Sequence, residues 1–458
     1  MRHVLVSRCL LVVALCGLVS LHAAAADAGR KMQVATCCVD VTPPLGFPSY
    51  PSNKPLETVE TPLLAKGIVL DDGRQRVVLC AVDWCGLCAS AHGLFRKSIA
   101  DAAQTDVSNV AVHTVHQHTA PYIPTGSLEV RDRAGNPPDE ADPPVLRQVA
   151  ERLGAAARES LGQFQPFNAI GTGQAKVDRV ASARRILTPD GKICTRWSAC
   201  TDPDLRAEPE GRIDPMLKTI TLAQDDKPLV RIHFYATHPQ SFYGDARVCY
   251  DVPGFARERL EEKEKVFQIY FTGCAGDVVM GKYNDRSPEA RTQLTDRLYA
   301  GMEASVAATQ MAPVDGFTWR AMPVTLPLKD EPGYDVAKNR ALMEDAKTSD
   351  KDWMQAARRI VLAEWFKQPI ELGLLRIGPA DLVYLPGESV IEFQLFTQTQ
   401  HPNRFTAVAA YGDLATGYIC EEKDFAEGGY EPSASHVVPK SEGILKDAIR
   451  KLLEDSKQ

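Results

Sequence analysis

Residues 109–121 read NVAVHTVHQHTAP, and this stretch decides the fold class. Its apolar, largely β-branched run predicts a buried strand over Val110–Val115, ended by the turn at Pro121. Similar runs recur at Val77–Trp84, Leu229–Ala236, Phe267–Thr272 and Phe405–Tyr411. A strand pair around Leu374–Leu385 turns at Gly378-Pro379-Ala380. Helical patterns follow strands at Phe255–Lys265 and Arg291–Thr309, and residues 337–367 read as a helix-rich insertion. In the tail Glu442–Ser456, Ile444, Leu445, Ala448, Ile449, Leu452 and Leu453 share one face, which predicts a docked closing helix. Segments 121–144 and 188–213 are rich in turn residues and predict surface loops. Strands alternating with helices predict one large α/β domain over residues 27–458.

The chain has 458 residues, is 44% hydrophobic and 24% charged, and carries a net charge of -7. This is the balance of a globular protein, and the lack of a basic block excludes a nucleic-acid partner. Residues 1–26 read as an export signal. Arg2, His3 and Arg8 give a positive start, residues 9–21 are apolar, and Ala23–Ala26 supply small residues before cleavage. The expected location is therefore periplasmic, cell-surface or secreted. The apolar run is too short to span a bilayer, and no second run approaches that length, so no transmembrane span is expected in the mature chain. Leu15 disfavours a lipid anchor at Cys16. Of twelve cysteines, ten follow the leader. Cys194 and Cys200 are the nearest candidates for a local disulfide, and Cys85-x-x-Cys88 reads as structural.

Four patterns carry chemistry. His116 and His118 are two apart, which on a strand puts both imidazoles on one face. Two such rings can hold a metal, or one holds it while the other moves a proton. His113 has the opposite parity and reads as structural. His238 follows the run 230–236 (VRIHFYA) and precedes Pro239, where a strand leaves the core; His233 inside the run reads as packed or exposed. Glu388 closes LPGE (385–388), where glycine permits a sharp turn and the carboxylate can complete a metal shell. Glu392, one helical turn on, is expected to support it. Residues 271–277 (FTGCAGD) offer small side chains for close backbone approach. Taken singly, each of these is equally a polar strand end or a turn.

Taken in order, they resemble the neutral/alkaline ceramidases over roughly residues 33–440. VDVTPPLG (39–46) is similar to that family's D-[IV]-T-P-P-x-G, HQHTAP (116–121) to H-T-H-S-G-P, ATHP (236–239) to A-x-H-P, GDV (276–278) to the start of G-D-V-S-P-N, and PGE (386–388) to P-G-E. Tyr418 and Tyr430 keep the twelve-residue spacing between the family's metal tyrosine and its active-site tyrosine. The resemblance implies a fold of two twisted β-sheets surrounded by helices. It also implies one zinc ion held by His116, His238, Glu388 and Tyr418. In the family's mechanism the metal acidifies a water that attacks an amide carbonyl. His118 would act as acid or base at the leaving amine. Tyr430 and an arginine, Arg184 with Arg185 as the other choice, would stabilise the oxyanion.

The implied activity is zinc-dependent hydrolysis of an N-acyl amide, of ceramide or of another small-molecule or lipid substrate. A zinc esterase or a non-catalytic exported binding protein are the competing readings. Three departures stand out. Val279-Met280-Gly281 replaces S-P-N, which removes a serine nucleophile there. Thr119-Ala120 replaces S-G after the histidine pair. The family's C-terminal β-sandwich domain is not expected after the last motif.

Overall fold

Residues 32–52, 54–130 and 143–454 are described by a computed structural model. The leader and positions 131–142 of the expected first loop lie outside these residues. Each long apolar run forms a strand, and the strands assemble into two five-stranded sheets and a four-stranded third. The first sheet is ordered Gln165–Pro166, Gln33–Asp40, Leu64–Asp71, Arg76–Val82, Val110–Thr114. The second is ordered Phe267–Thr272, Lys227–Tyr235, Met216–Gln224, Ala169–Lys176, Gln310–Pro313. The third runs Phe317–Val324, Ile370–Ile377, Ala380–Tyr384, Phe405–Ala409, with the expected hairpin between its middle strands.

Each of these three sheets is antiparallel except for one edge pair. Arg76–Val82 runs parallel to Val110–Thr114, Lys227–Tyr235 to Phe267–Thr272, and Ala380–Tyr384 to Phe405–Ala409. A parallel neighbour requires a crossover, and helices Ala89–Ala103, Asp251–Glu264 and Ile391–Gln400 supply the three. The three edge strands then meet at their carboxyl ends. The Thr114 amide donates to the Tyr411 carbonyl at 2.9 Å, the Ala410 amide to the Thr272 carbonyl at 2.9 Å, and the Thr272 hydroxyl to the Val115 carbonyl at 2.6 Å. This junction, where strands end and loops begin, is where α/β folds place their chemistry.

Strand alternation splits the core. Leu79 and Ala81 point to the apolar layer shared with the second and third sheets, whereas Val78, Cys80 and Val82 pack against Phe95, Ile99, Leu146 and Val149 from two covering helices. Beneath the junction, Arg257 donates to both carboxylate oxygens of Asp83 at 2.9 Å, with both side chains fully buried.

Several expectations change. The strands end before Trp84, Val115 and Tyr411, because these residues turn their backbones into the junction. Segment 188–213 is not all loop: Ile193–Thr195 pairs with Arg185–Leu187, and Pro203–Ala207 is a short helix capped by Asp202. The insertion 337–367 holds helices Val336–Glu344 and Asp350–Trp365, and the closing helix runs Ser441–Leu453. The Cys194–Cys200 disulfide does not form, and all ten described cysteines are free. Cys194 is committed to the hairpin opposite Ile186, while the Cys200 amide is tied to the Asn284 carbonyl. Among the described residues no helix is long and apolar enough to cross a membrane.

Candidate active site

The residues singled out in the sequence converge at the strand junction. His116 lies two residues beyond Thr114, and the strand parity argued for the histidine pair does not apply. His116 instead takes a left-handed backbone, φ 71°, which swings its ring under the junction. Its Nδ1 donates to the Cys85 carbonyl at 2.5 Å, and its ring stacks on Tyr411 with centroids 4.2 Å apart. His238 follows strand Lys227–Tyr235, and its Nδ1 donates to the Ala275 carbonyl at 2.5 Å. With both Nδ1 protons on carbonyl oxygens, both rings turn Nε2 toward the cluster, where the two Nε2 atoms are 3.2 Å apart; Arg184 Nη2 lies 3.2 Å from that of His238 and His118 Nε2 3.4 Å from that of His116.

Glu388 completes the cluster. Its Oε2 lies 3.2 Å from His116 Nε2 and 3.3 Å from His238 Nε2, yet it is buried with no hydrogen-bond partner. Burial holds the His238 imidazole at about 4, so it is neutral at ordinary pH. A buried carboxylate oxygen without a hydrogen-bond partner thus faces the Nε2 atoms of two histidines, an arrangement that a cation resolves. The ligand atoms of His116, His238 and Glu388 all lie within 4.8 Å of one another. Tyr418 adds an oxygen, its Oη 3.5 Å from His238 Nε2. Two imidazole nitrogens with a carboxylate and a phenol oxygen suit zinc, and the residues present fit it.

The turn that aims Glu388 depends on Gly387, at φ +65°. A Cβ there would lie 2.3 Å from Thr416 Oγ1. Gly276 is equally constrained, since a Cβ would lie 2.5 Å from the Glu388 carbonyl oxygen. Beside it, Asp277 Oδ1 accepts from the Ile391 amide at 2.7 Å, and the Asp277 carbonyl accepts from the Arg184 amide at 2.7 Å. The small-residue segment after Phe267–Thr272 is thus a brace joining the Glu388 loop to the Arg184 backbone, between strands Ser182–Ala183 and Arg185–Leu187.

Arg184 rather than Arg185 faces the site. It donates to Tyr418 Oη at 3.0 Å, and its guanidinium lies 5.6 and 5.4 Å from the Tyr418 and Tyr430 ring centroids. Arg185 turns away to Asp424, Glu427 and Glu431. His118 Nε2 is 3.4 Å from His116 Nε2, and burial pushes its pKa well below the ordinary histidine range. Glu392 does not support Glu388. It leaves the first turn of its helix toward Lys446 at 2.7 Å and Arg212 at 3.1 Å, because those cations, and not the metal cluster, lie on its side. His113 and His233 are buried and hydrogen-bonded, as expected of structural residues.

Sequence reasoning missed three neighbours of the cluster. Tyr411 was assigned to a strand. Gln240, only two residues after His238, has its amide nitrogen 2.9 Å from His118 Nδ1. Glu431, next to Tyr430, is fully buried between Arg184 and Arg185. Chain proximity to a candidate ligand was the only signal for the last two.

A scaffold of this kind is that of an α/β protein with a candidate metal site, a two-nitrogen, two-oxygen cluster at strand carboxyl ends. Its fold is that of the neutral ceramidases. The chain superposes on neutral ceramidase from Pseudomonas aeruginosa with a TM-score of 0.68 and 14% identity, covering 92% of this chain and 74% of that one. A ceramidase structure complexed with C2 gives 0.67 and 12%, covering 92% and 75%. No protein-family model matches the chain, and no curated protein matches its sequence.

Proposed function

We propose that this chain is an exported zinc-dependent hydrolase that cleaves N-acyl amide bonds, with His116, His238, Glu388 and Tyr418 as the metal ligands. One observation carries the reading: the buried, unpartnered Glu388 Oε2 facing two imidazole nitrogens. The neutral ceramidase fold supports amide hydrolysis as the reaction. When bound, zinc would supply Lewis acidity, lowering the pKa of water and polarising the carbonyl.

The remaining work falls to the chain's own groups. With Gln240 donating to His118 Nδ1 while its Oε1 accepts from Ser198, the neutral His118 carries its proton on Nε2, toward the cluster. In this reading it donates a hydrogen bond to the departing nitrogen, which takes its proton from the attacking water. Arg184, held between Tyr418 and Glu431, and Tyr430 beside it offer donors to a developing oxyanion. A serine nucleophile has no place in the Gly276–Gly281 segment, where Val279 and Met280 are fully buried.

An ester would be attacked by the same groups, and a binding protein could keep the fold without the reaction. Metal analysis of the purified chain, with an N-acyl and O-acyl substrate panel, separates these readings. We expect about one zinc per chain, lost in His238→Ala and Glu388→Ala, and amide hydrolysis lowered about 100-fold or more in His118→Ala. Full metal retention in both ligand variants would end the proposal.

A further inference from the structure

Trp197 is a large apolar side chain that neither the core nor the metal cluster uses. Its indole is 49% exposed, and it is the one aromatic among the exposed large hydrophobic residues described. Its backbone is nevertheless fixed on both sides. The fully buried Arg196 donates to the carbonyls of Ala183, Leu205 and Pro209, and the Ser198 carbonyl accepts from Asn284 at 2.8 Å. Gly281 makes room for the chain, since a Cβ there would lie 1.9 Å from the Trp197 carbonyl oxygen. An aromatic ring held rigidly but left half in water is suited to contact with a ligand.

The ring continues the wall of the site. Tyr418 meets Tyr430 at 5.5 Å, and Tyr430 meets Trp197 at 5.2 Å and 69°. Exposure rises along this series from 5% at Tyr418 to the half-open indole. The neighbouring groups are polar. Ser198 donates to Gln240, which bonds His118, and the Tyr50 ring lies 5.2 Å from the His118 ring. Trp197 is thus linked to Tyr418 through Tyr430, and its chain neighbour Ser198 is linked through Gln240 to His118, the residue proposed to act at the leaving amine.

We propose that Trp197 is a specificity-determining residue that stacks on a hydroxylated ring carried by the amine half of the substrate. The substrate class is then an N-acylated amino sugar. A sugar ring offers a C–H face to an indole and hydroxyls to the rim, and a half-exposed indole that ends a short Tyr418–Tyr430–Trp197 series and is followed by the polar Ser198 matches it better than it matches an acyl chain, which needs a longer continuous apolar track. The inference rests on the hydrolase reading above.

The test compares the zinc-loaded full chain on the methyl glycoside of N-acetylglucosamine, on acyclic N-acetylethanolamine and on a long-chain ceramide in mixed micelles. Trp197→Ala should lower the preference for the glycoside over the acyclic amide about tenfold, chiefly through KM, and Trp197→Phe should restore most of it. Binding is compared in a background without turnover by titrating the glycoside into Glu388→Ala and into the Trp197→Ala/Glu388→Ala double variant, where affinity should be at least about tenfold weaker. An unchanged preference in Trp197→Ala, a wild-type preference for ceramide, or equal glycoside affinity in the two Glu388→Ala backgrounds would overturn the proposal. Loss of zinc and of all hydrolysis from the wild type would instead strike the hydrolase reading.

Discussion

Glu388 and Tyr418 are direct partners in a two-residue parallel ladder, Glu388 opposite Tyr418 and Ser389 opposite Ile419. Side chains paired across a ladder lie on the same face. Thirty residues separate the two in sequence, yet the ladder aims the carboxylate and the phenol at His238 together. The Glu388 amide donates to the Gly417 carbonyl at 3.0 Å and the Gly387 amide to the Asp413 carbonyl at 2.9 Å, so the ladder is locked at its entry.

Gly387→Ala should damage this ladder. The new Cβ would meet Thr416 and would have to adopt φ +65°, which alanine disfavours. We expect a loss of about 1–3 kcal/mol in unfolding free energy and weaker zinc retention against a chelator. Wild-type stability with wild-type zinc retention would show that the turn tolerates a side chain.

Arg184→Ala should separate catalysis from metal binding. Arg184 reaches Tyr418 Oη but is itself no metal donor, so zinc should remain while kcat falls about 100-fold or more. Arg185→Ala, which loosens a set of ion pairs pointing away from the site, should leave kcat within about threefold and act on stability instead. Equal kcat losses in the two variants would contradict the assignment of Arg184.

Arg257→Leu leaves the Asp83 carboxylate buried without its bidentate partner. Asp83 Oδ2 also accepts from the Leu64 amide at 3.0 Å, so the strand junction should loosen. Denaturant unfolding should show a loss of about 3–5 kcal/mol, and Asp83→Asn/Arg257→Leu should recover part of it. A loss under about 1 kcal/mol would mean that solvent reaches the pair.

Acid should destabilise the fold through its buried histidines. Burial lowers His113, His233 and His436 to about 4 and His92 to about 3. Each is neutral in the fold but takes a proton in the unfolded chain near pH 6.5, so its contribution is complete above that pH and is lost as pH falls toward 4. Buried Asp277 and Asp413, raised to about 6, act in the opposite sense between pH 6 and 4, and soften the decline. His233→Gln should reduce the drop in unfolding free energy between pH 7 and 5.5 by about 1 kcal/mol. An identical pH dependence in the variant would show that the His233 ring is protonated in the fold.

The local patterns around His116, His238, Pro386-Gly387-Glu388 and Phe267–Thr272 were legible because strand ends, glycine turns and histidine placement are written in short stretches of chain. The same reasoning misjudged the path of the histidine pair, since a left-handed residue at 116 breaks the two-residue parity that an extended strand would keep. It misplaced Glu392, because helical spacing says which residues are neighbours on a helix but not what faces them, and here Lys446 and Arg212 do. It chose Arg184 over Arg185 only by resemblance; the structure separates the two at the break between strands Ser182–Ala183 and Arg185–Leu187, sending Arg184 to Tyr418 and Arg185 to Asp424 and Glu427.

The sequence by itself therefore determined the α/β class, the strand ends and the residue types available for a metal. Only the tertiary structure decided that these donors meet. Their convergence depends on backbone hydrogen bonds among the ends of three separate sheets, linking Thr114, Thr272 and Tyr411 across some three hundred positions. Contacts between residues so far apart are set by how the sheets pack, which no local stretch of chain encodes.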